Sequence, residues 1–275
     1  MKHKIRPLYF AAGFFLIALL FIYEALSSQH LSYHFSFVGY GGTFKLHDMK
    51  VLGVPIYWFL MLCGFAVTFA ESWCKRQKYS MNKAEALLLP LVFLIVAYCG
   101  GKLLYIIENY SAFSESGIQL DGMSLYGAIY LVLLLTPLAA LVTRKRIAAL
   151  YDYFTPFGLI LLAATRTGCF LNGCCGAVKL WNGIMPVILP VQLFEVVCDL
   201  LILEVCYIIE KKHHQKGYMY PSFMLLYGGC RFMLEFLRDT PKDWFGLSHG
   251  QVFSLISVLL AVFFFAIYRL TKKKA

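Results

Sequence analysis

The sequence predicts an all-α polytopic membrane protein with about eight transmembrane helices. The chain has 275 residues, of which 60% are hydrophobic and only 15% are charged, and its mean hydropathy is +0.69. A soluble domain contains roughly a quarter charged residues, so this composition excludes an ordinary globular fold, a disordered chain and a fibre. Apolar windows of about 20 residues also recur between polar breaks, and this is the length that a helix needs to cross a bilayer.

Eight such windows follow one another along the chain, and the fourth contains Pro137, which neighbouring helices can accommodate. The first window has the basic start and the Ala25-Leu26-Ser27 ending of a secretory signal. Its apolar core is at the upper limit of signal length, so we favour an uncleaved helix. The approximate extents are Leu8 to Leu26, Val54 to Ala70, Ala84 to Ile107, Leu125 to Val142, Ile147 to Ala164, Pro190 to Ile209, Tyr218 to Leu237 and Gln251 to Tyr268.

Lysine and arginine are concentrated in the connections on one side of these windows. Groups such as Lys75-Arg76 and Arg144-Lys145-Arg146 lie on the same side as the basic residues of both termini. Cytoplasmic loops carry the excess of Lys and Arg, so both termini are predicted to be cytoplasmic. The net charge of +10 is therefore explained without a nucleic-acid partner, because the basic residues form no stripe.

With this topology, polar side chains from several spans fall at the outer membrane face. Arg231, Glu235 and Arg238 are spaced by four and three residues, so they share one helix face. A charge inside a span normally faces a cavity or a partner. Together with Arg166, the cations outnumber the nearby acids, and surplus guanidinium groups at headgroup depth predict an anionic ligand, most naturally a phosphate. The residues at this level are Tyr57, Lys102, Tyr126, Arg166, Gln192, Glu195, Arg231, Glu235, Arg238, His249 and Gln251.

The acidic residues also have a structural interpretation. Glu235 can hold Arg231 and Arg238 in a network that ties helices together. Glu195 and Asp199, four apart on the sixth span, can pair with a neighbouring lysine or arginine as readily as take part in catalysis.

Three further features are predicted to be structural. Asp152 lies near the cytoplasmic end of the fifth span, far from the outer cluster. The pairs Gly100-Gly101 and Gly228-Gly229 are expected to allow close helix contact or the approach of backbone to a ligand.

Cys169, Cys174 and Cys175 are the only clustered cysteines. Their spacing fits no standard zinc motif, so we expect no metal. Free thiols are favoured, with a disulfide between Cys169 and one of the pair as the alternative. The other cysteines lie in or beside apolar runs, where a thiol behaves as a small hydrophobe.

Four stretches and one earlier residue, Tyr57, agree in order and spacing with a known set of motifs. The stretches are Arg166-Thr-Gly-Cys-Phe-Leu-Asn172-Gly173-Cys-Cys-Gly176, Pro190-Val-Gln192-Leu-Phe-Glu195, Tyr227-Gly-Gly-Cys-Arg231-Phe-Met-Leu-Glu235-Phe-Leu-Arg238 and Leu247-Ser-His249-Gly-Gln251. They resemble the motifs of bacterial phosphatidylglycerol:prolipoprotein diacylglyceryl transferases. The resemblance extends from about Val51 to the last span.

The resemblance implies both a domain division and an activity. Residues 51–275 would form the family's seven-helix membrane domain, and residues 1–50 would add an N-terminal transmembrane helix and an outer connection. The implied reaction transfers the diacylglyceryl group of phosphatidylglycerol to the lipobox cysteine thiol of a prolipoprotein signal peptide, which forms a thioether and releases glycerol phosphate. The expected partners are phosphatidylglycerol, prolipoprotein signal peptides and membrane lipid, without a cofactor, at the outer leaflet of the bacterial cytoplasmic membrane.

The sequence departs from the family pattern at three places. The histidine of a motif ahead of the signature is replaced by Tyr126, within Gly122-Met-Ser-Leu-Tyr126-Gly. The signature's Asn and Glu are replaced by Cys169 and Cys174, and the first helix is an addition. A tyrosine hydroxyl is a poor base at neutral pH, so we interpret Tyr126 as a hydrogen-bond donor or positioning group and His249 as a possible substitute base.

These arguments predict two groups of site residues. Catalytic roles are predicted for Arg166, Arg231, Tyr126, Glu235 and His249. Substrate-binding roles are predicted for Tyr57, Lys102, Asn172, Gly173, Gln192, Glu195, Arg238 and Gln251.

Two alternative functions remain compatible with the sequence. The first is a family relative that acts on a different acceptor, which the replacement of the histidine would allow. The second is a non-enzymatic transporter of lipid or small anions that uses the same arginines. Transporters commonly contain internal repeats, and the absence of a repeat in this sequence disfavours the second alternative.

Overall fold

The computed structural model describes residues 50–51, 53–110, 122–172, 179–181, 186–188, 191–238, 240, 242, 244 and 246–273. Within these residues the fold is almost entirely helical, with seven α-helices. They are α1 (Ile56–Lys75), α2 (Lys83–Glu108), α3 (Leu125–Thr143), α4 (Ile147–Asn172), α5 (Val191–Lys212), α6 (Met219–Leu234) and α7 (His249–Lys273). A 3₁₀ turn, Glu235–Leu237, continues α6.

Four short strands form two antiparallel hairpins. In the first, β1 (Lys50–Val51) pairs with β2 (Val54–Pro55). In the second, β3 (Lys179–Trp181) pairs with β4 (Pro186–Ile188), with Leu180 opposite Val187.

The all-α prediction is confirmed, because each of the seven later apolar windows falls on a helix; the first, Leu8 to Leu26, lies outside the described residues. In the described part of the chain, five helices are long and apolar enough to cross a membrane, namely α1, α2, α3, α4 and α7. The other two are α5, which carries several acidic residues, and α6, which has 16 residues.

The chain divides into two compact units. The first contains the described residues up to Val67 together with Leu159–Val205 and Leu226–Leu255. The second contains Thr68–Gly158, Cys206–Leu225 and the described residues from Ile256 onward.

In the second unit, hydroxyl groups compensate for prolines inside helices. A proline lacks the N–H that would bond to the carbonyl four residues earlier. For Pro90 this carbonyl belongs to Ala86, which accepts a 2.5 Å hydrogen bond from the Ser72 hydroxyl of α1. For Pro137 it belongs to Leu133, which accepts a hydrogen bond from the Tyr151 hydroxyl of α4 at 2.8 Å. The prediction that neighbouring helices accommodate Pro137 is therefore confirmed.

Helices α2 and α3 meet at a glycine contact. A β-carbon on Gly100 would collide with the carbonyl oxygen of Gly127, and one on Gly127 would collide with the carbonyl oxygen of Gly100. The predicted close contact at Gly100 is thus confirmed. A β-carbon on Gly229 would meet nothing within 4 Å, so the structure shows no close helix contact at Gly229.

A buried ion-pair network joins α1 to α5 in the second unit. The Lys75 side chain is only 2% exposed, and its Nζ lies 3.1 Å from Glu210 Oε1 and 3.3 Å from Glu71 Oε1. The Tyr79 and Tyr207 hydroxyls donate to Glu210 and Glu71 at 2.6 and 3.0 Å. Burial, and then the adjacent Glu210 carboxylate, raise the pKa of Tyr79 far above its ordinary value, so this phenol remains a neutral donor.

Asp152, also in the second unit, holds the connection between α5 and α6. Its two carboxylate oxygens accept hydrogen bonds from the backbone N–H groups of Gly217 and Met219, each at 2.9 Å. Gly217 has a φ of +76°, a conformation that glycine adopts most easily. The prediction that Asp152 is structural is confirmed.

In the first unit, α1 and α4 pack closely at a small residue. A β-carbon on Gly64 would lie 2.8 Å from the Ala164 β-carbon, and the Thr165 hydroxyl approaches the Met61 sulfur at 3.1 Å. This packing holds the half of α4 that carries Arg166.

Candidate active site

The first unit gathers three arginines and two glutamates from separate segments of the chain into what we call the arginine cluster. Arg166 comes from α4, Glu195 from α5, Arg231 from α6, Glu235 from the 3₁₀ turn, and Arg238 from the extended residue that follows it. Arg166, Glu195, Arg231 and Glu235 are buried and Arg238 is half-buried. The fifth window was expected to end at Ala164, but α4 continues to Asn172, and Arg166 therefore lies within the helix.

Glu195 is the centre of the cluster, because its carboxylate contacts all three arginines. Arg166 Nε lies 2.5 Å from Glu195 Oε2. Arg231 Nη1 donates to Glu195 Oε1, and Arg238 Nη1 lies 3.3 Å from the same oxygen. The pairing of Glu195 with arginine, which the sequence left open beside a catalytic role, is present in the structure.

Glu235 connects the cluster to the beginning of α7. Its Oε2 lies 2.7 Å from Arg231 Nη2. Its Oε1 accepts hydrogen bonds from the Thr240 hydroxyl at 2.9 Å and the Ser248 hydroxyl at 3.1 Å. Gly250 leaves room for the carboxylate, since a β-carbon there would lie 3.0 Å from Glu235 Cδ. The carboxylate therefore lies beside the N-terminus of α7, where negative charge is stabilised.

A capping box begins α7 and fixes Gln251. The Gln251 backbone N–H donates to the Ser248 hydroxyl at 3.2 Å, and the Ser248 N–H donates to Gln251 Oε1 at 3.0 Å. The Gln251 side chain is 1% exposed, and its Nε2 has no hydrogen-bond partner among the residues that the structure describes.

The His249 ring packs against the Trp244 ring. The two ring planes are tilted relative to each other, and the ring centroids are 4.9 Å apart.

Two other polar residues of α5 line up with Glu195. Gln192 and Asp199 lie three residues before and four residues after it, so the three share a helix face. Asp199 is 1% exposed, and neither of its oxygens has a hydrogen-bond partner within the described part of the chain. Arg166 and Arg231 are close enough to Asp199 to act on it electrostatically.

The arginines of the cluster outnumber its glutamates. Three guanidinium groups face two glutamates. Burial, and then the positive charges of Arg231 and Arg166, lower the guanidinium pKa of Arg238 from its ordinary value. An additional anion at Arg238 would relieve this cost.

The remaining predicted residues of the first unit lie near the end of α4. Gly168 packs against the Tyr57 ring. A β-carbon at position 168 would lie only 2.9 Å from Tyr57 Cδ2, so a larger residue would collide with the ring. Cys169 is buried beside it. Asn172 is the last residue of α4, and Gly173 lies outside the described residues with Cys174 and Cys175, so the disulfide alternative stays open.

Tyr126 and Lys102 belong to the second unit. Tyr126 is buried in the first turn of α3, with its ring 5.9 Å from that of Tyr130 and nearly parallel to it. Lys102 Nζ donates to the Gly122 carbonyl at 2.9 Å and lies 5.6 Å from the centre of the Tyr98 ring.

Three polar residues of the site were missing from the sequence-based prediction of site residues: Thr240, Ser248 and Asp199. Ser248 was detectable, because Ser248-x-x-Gln251 has the spacing of a capping box ahead of an apolar run. Thr240 reaches Glu235 from a connection, and no spacing rule identifies such a contact.

Comparisons of this sequence with a family profile and with individual proteins identify the same family. Residues 46–267 match the sequence profile of the family described as prolipoprotein diacylglyceryl transferase. A phosphatidylglycerol–prolipoprotein diacylglyceryl transferase of Clostridium tetani is 27% identical, with 84% of this chain and 98% of the relative aligned. Similar enzymes of Clostridium perfringens and Teredinibacter turnerae are 25% and 28% identical, over 82% and 80% of this chain and 94% and 86% of the relatives. Because the profile spans most of the sequence, this chain belongs to the prolipoprotein diacylglyceryl transferase family.

Proposed function

We propose that this protein is a transferase that moves the diacylglyceryl group of phosphatidylglycerol onto the lipobox cysteine thiol of a prolipoprotein signal peptide. The observation that carries the proposal is the convergence of Arg166, Arg231 and Arg238 in a buried cluster of a chain with this family membership. The names of the relatives state the same donor lipid and the same class of acceptor.

The cluster is suited to a phosphate diester in a low-dielectric site. Guanidinium groups donate two parallel hydrogen bonds to a phosphate, as they do to a carboxylate. Arg166, Arg231 and Arg238 already converge on one pair of carboxylate oxygens, those of Glu195. In the proposed complex, the lipid phosphate shares these donors with Glu195 and relieves the cost of burying Arg238.

The proposed reaction is a displacement at carbon. The acceptor sulfur forms a bond to the glyceryl carbon that carries the phosphate ester, the carbon–oxygen bond breaks, and glycerol phosphate leaves with the bonding electrons. The acceptor thiol loses its proton. The protein orients two membrane-bound partners, and the arginines stabilise the charge that develops on the leaving phosphate.

A strong base is not required for this step. A few per cent of a cysteine thiol is ionised at neutral pH, and a positive site raises this fraction. We assign Tyr126 a hydrogen-bonding or positioning role, and His249 is the proposed acceptor of the thiol proton. Glu235 holds Arg231 in place. The proposed substrate-binding residues are Tyr57, Lys102, Asn172, Gly173, Gln192, Glu195, Arg238 and Gln251.

The proposed topology has eight spans, cytoplasmic termini and a site that faces the outer leaflet of the bacterial cytoplasmic membrane. It rests on the distribution of Lys and Arg. The lipid donor and the signal peptide of a secreted prolipoprotein would both be accessible at that depth.

The test is complementation of a bacterial strain depleted of its own diacylglyceryl transferase, followed by an assay of the purified protein. In the assay, phosphatidylglycerol labelled in an acyl chain is mixed with a peptide that contains a lipobox cysteine. We expect growth of the strain and a labelled thioether on the peptide, while the matched peptide with serine stays unlabelled. Absence of both growth and labelling, with the protein folded and inserted, would refute the proposal. Label on a different acceptor would instead support the family relative with changed specificity.

A further inference from the structure

Helices α2 and α3 of the second unit are joined at two levels. At one level, a β-carbon on Gly100 would collide with the carbonyl oxygen of Gly127, so the two backbones are in direct contact. At the other level, Lys145 Nζ, just beyond the end of α3, lies 3.6 Å from Glu85 Oε2 in the first turn of α2. Glu85 and Gly100 are roughly 22 Å apart along α2. Between these two levels, the helices leave a gap.

The gap is a groove of about 250 Å³, which we call the α2–α3 groove. Its lining includes Leu89, Val92 and Val96 of α2 and Val132 and Ala139 of α3. The three α2 residues are spaced by three and four positions, so they share one helix face. Val92 is exposed and Val132 is buried, so the groove leads from the surface of the helix pair into its interior.

Two threonines of α3 also line the α2–α3 groove, and the hydroxyl protons of both are already used. Thr136 donates to the Val132 carbonyl at 2.6 Å, and Thr143 donates to the Ala139 carbonyl at 2.7 Å. Every other lining side chain is a hydrocarbon. A polar ligand in the groove would lose hydrogen bonds to water without replacement, whereas a hydrocarbon chain has none to lose. The lining therefore fits a hydrocarbon chain.

The surroundings of the groove supply such a chain. Both α2 and α3 are long and apolar enough to cross a membrane, and the outer surface of a membrane-spanning helix is covered by lipid acyl chains. The groove opens onto this surface at Val92, which is exposed. An acyl chain of a neighbouring lipid can therefore enter it from the side.

Exposed cations lie at the end of the groove where α3 stops. Thr143 is the last residue of α3, and Arg144 and Arg146 lie in the connection that follows it. Both arginines are exposed, and neither forms an ion pair within the described part of the chain. Glu85, from the facing end of α2, pairs with Lys145 instead. Basic residues next to a membrane span favour anionic lipids, by roughly fivefold for each residue.

We propose that the α2–α3 groove binds one acyl chain of an anionic phospholipid, whose phosphate is held by Arg144 and Arg146. The guanidinium groups donate hydrogen bonds to the phosphate, and the acyl chain fills the gap between the two levels at which α2 and α3 are joined. In the proposed topology this lipid belongs to the cytoplasmic leaflet. The arginine cluster is part of the first unit, so the lipid bound at the groove is additional to the donor of the transfer reaction.

The test is photolabelling of the full chain in phosphatidylcholine nanodiscs. The probes are two phospholipids with the same diazirine-bearing acyl chain, one with a phosphatidylserine headgroup and the other with a phosphatidylcholine headgroup. Phosphatidylserine is anionic and is not the proposed donor of the transfer reaction. After irradiation, the labelled peptides are identified by mass spectrometry. We expect label within residues 89–96 and 132–143, at least about fivefold more with phosphatidylserine than with phosphatidylcholine.

Variants of each part of the site provide matched comparisons. Ala139→Phe places a ring in the groove and should reduce its labelling severalfold, whereas Leu141→Phe, at an exposed α3 position that does not line the groove, should not. The double variant Arg144→Gln, Arg146→Gln should lose the preference for phosphatidylserine. Arg269→Gln, at an exposed position of α7, should keep the preference. The arginines are exposed, so their replacement leaves the fold intact, and the headgroup comparison remains valid even if Ala139→Phe unfolds.

Three results would overturn the proposal. Equal labelling of the groove by the two probes would show that it meets only bulk lipid. An unchanged preference in the double arginine variant would remove the headgroup site from Arg144 and Arg146. Absence of label from residues 89–96 and 132–143, together with chemical crosslinks from these residues to a second copy of the chain, would show that another protein molecule covers the groove. None of these results depends on transfer activity, so failure here is distinct from failure of the proposed function.

Discussion

The Glu235 carboxylate lies directly against the backbone of Gly250, the second residue of α7. A β-carbon on Gly250 would lie 3.1 and 3.2 Å from the two carboxylate oxygens. The same carboxylate accepts a hydrogen bond from Ser248 and pairs with Arg231. The position of Arg231 is therefore coupled to the first turn of α7, and glycine is needed at position 250 for the space it leaves.

Gly250→Ala should displace Glu235 and reduce activity without unfolding the protein. A shift of a few tenths of an ångström at Glu235 changes the angle of Arg231, and we expect a roughly tenfold loss of transfer, equivalent to about 1.4 kcal/mol. Gly229→Ala is the matched control, because a β-carbon there meets nothing within 4 Å. It should keep full activity and gain about 1 kcal/mol of stability from helix propensity. Labelled-lipid transfer and thermal unfolding measure the two effects, and wild-type transfer by Gly250→Ala would contradict this account.

Arg166→Ala and Arg231→Ala should each remove a donor to the phosphate. We expect losses in kcat of about 10²–10³-fold, the range measured for loss of one donor in an oxyanion hole. Replacement of either arginine by lysine should restore little transfer activity, because a lysine ammonium group cannot donate the two parallel hydrogen bonds of a planar guanidinium group. Arg269→Ala, at an exposed position of α7, is the control and should keep normal transfer.

The arginine variants need a folding measurement, since loss of one partner of a buried ion pair costs about 3–5 kcal/mol. Elution as a monodisperse species and retained melting behaviour establish that the chain is folded. Normal transfer by folded Arg166→Ala or Arg231→Ala would exclude these residues from phosphate binding.

Tyr126→Phe separates a hydrogen-bonding role from a basic one. If the Tyr126 hydroxyl donates to a charged group of the substrate, its removal should cost about 1.5–3 kcal/mol, or roughly ten- to more than hundredfold in rate. The shape of the pH profile should not change. Tyr130→Phe is the control, because its hydroxyl contacts Ser257 at 3.1 Å and its loss should affect stability alone.

The pH profile of His249→Ala completes this comparison. If His249 accepts the thiol proton, replacing it with alanine should change the dependence of the transfer rate on pH. An unchanged rate in Tyr126→Phe would remove the Tyr126 hydroxyl from the mechanism, and an unchanged profile in His249→Ala would remove the imidazole.

Tyr151 and Pro137 should be energetically coupled. Tyr151→Phe leaves the Leu133 carbonyl without the hydroxyl that bonds to it at 2.8 Å, and we expect a loss of about 1–3 kcal/mol in the free energy of unfolding. In a Pro137→Ala background, the new N–H at position 137 can donate to that carbonyl, so Tyr151→Phe should cost less by at least about 0.5 kcal/mol. Tyr220→Phe, whose hydroxyl bonds to Ile129, should cost the same in both backgrounds. Strict additivity of Tyr151→Phe and Pro137→Ala would disprove the compensation.

Reporter fusions test the proposed orientation. Fusions after Arg146 and Lys274 should report the cytoplasm, and fusions after Ser114 and Lys242 should report the exterior. A reversal at any one of these four points would contradict the proposed topology and, with it, the assignment of the site to the outer face.

The amino-acid pattern predicted the helices well and their ends less well. The second window was expected to end at Ala70, but α1 continues to Lys75, because Glu71 and Lys75 pair one turn apart and Lys75 also meets Glu210. The sequence assigned Lys75 to a basic loop. Its burial depends on α5, more than 100 residues later in the chain, and local composition carries no information about that partner.

In the site, too, the sequence predicts contacts within one helix but not contacts between helices. The spacing of Arg231 and Glu235 predicts that they share a face, and the two residues form an ion pair. The convergence of three arginines on Glu195 depends on the packing of α4, α5 and α6, which the spacing within any one helix does not determine.

Glu195 gives the arginines an anion before any lipid arrives. In the proposed function, Glu195 is therefore a resident competitor of the phosphate. It weakens the binding of phosphatidylglycerol, because each guanidinium that turns to the lipid must give up part of its contact with the carboxylate. It weakens the binding of glycerol phosphate equally, so the product leaves a site whose charges are immediately satisfied again. An enzyme with this arrangement binds its donor lipid less tightly and releases its product faster. Weak binding of the donor costs little activity in a membrane in which that lipid is abundant.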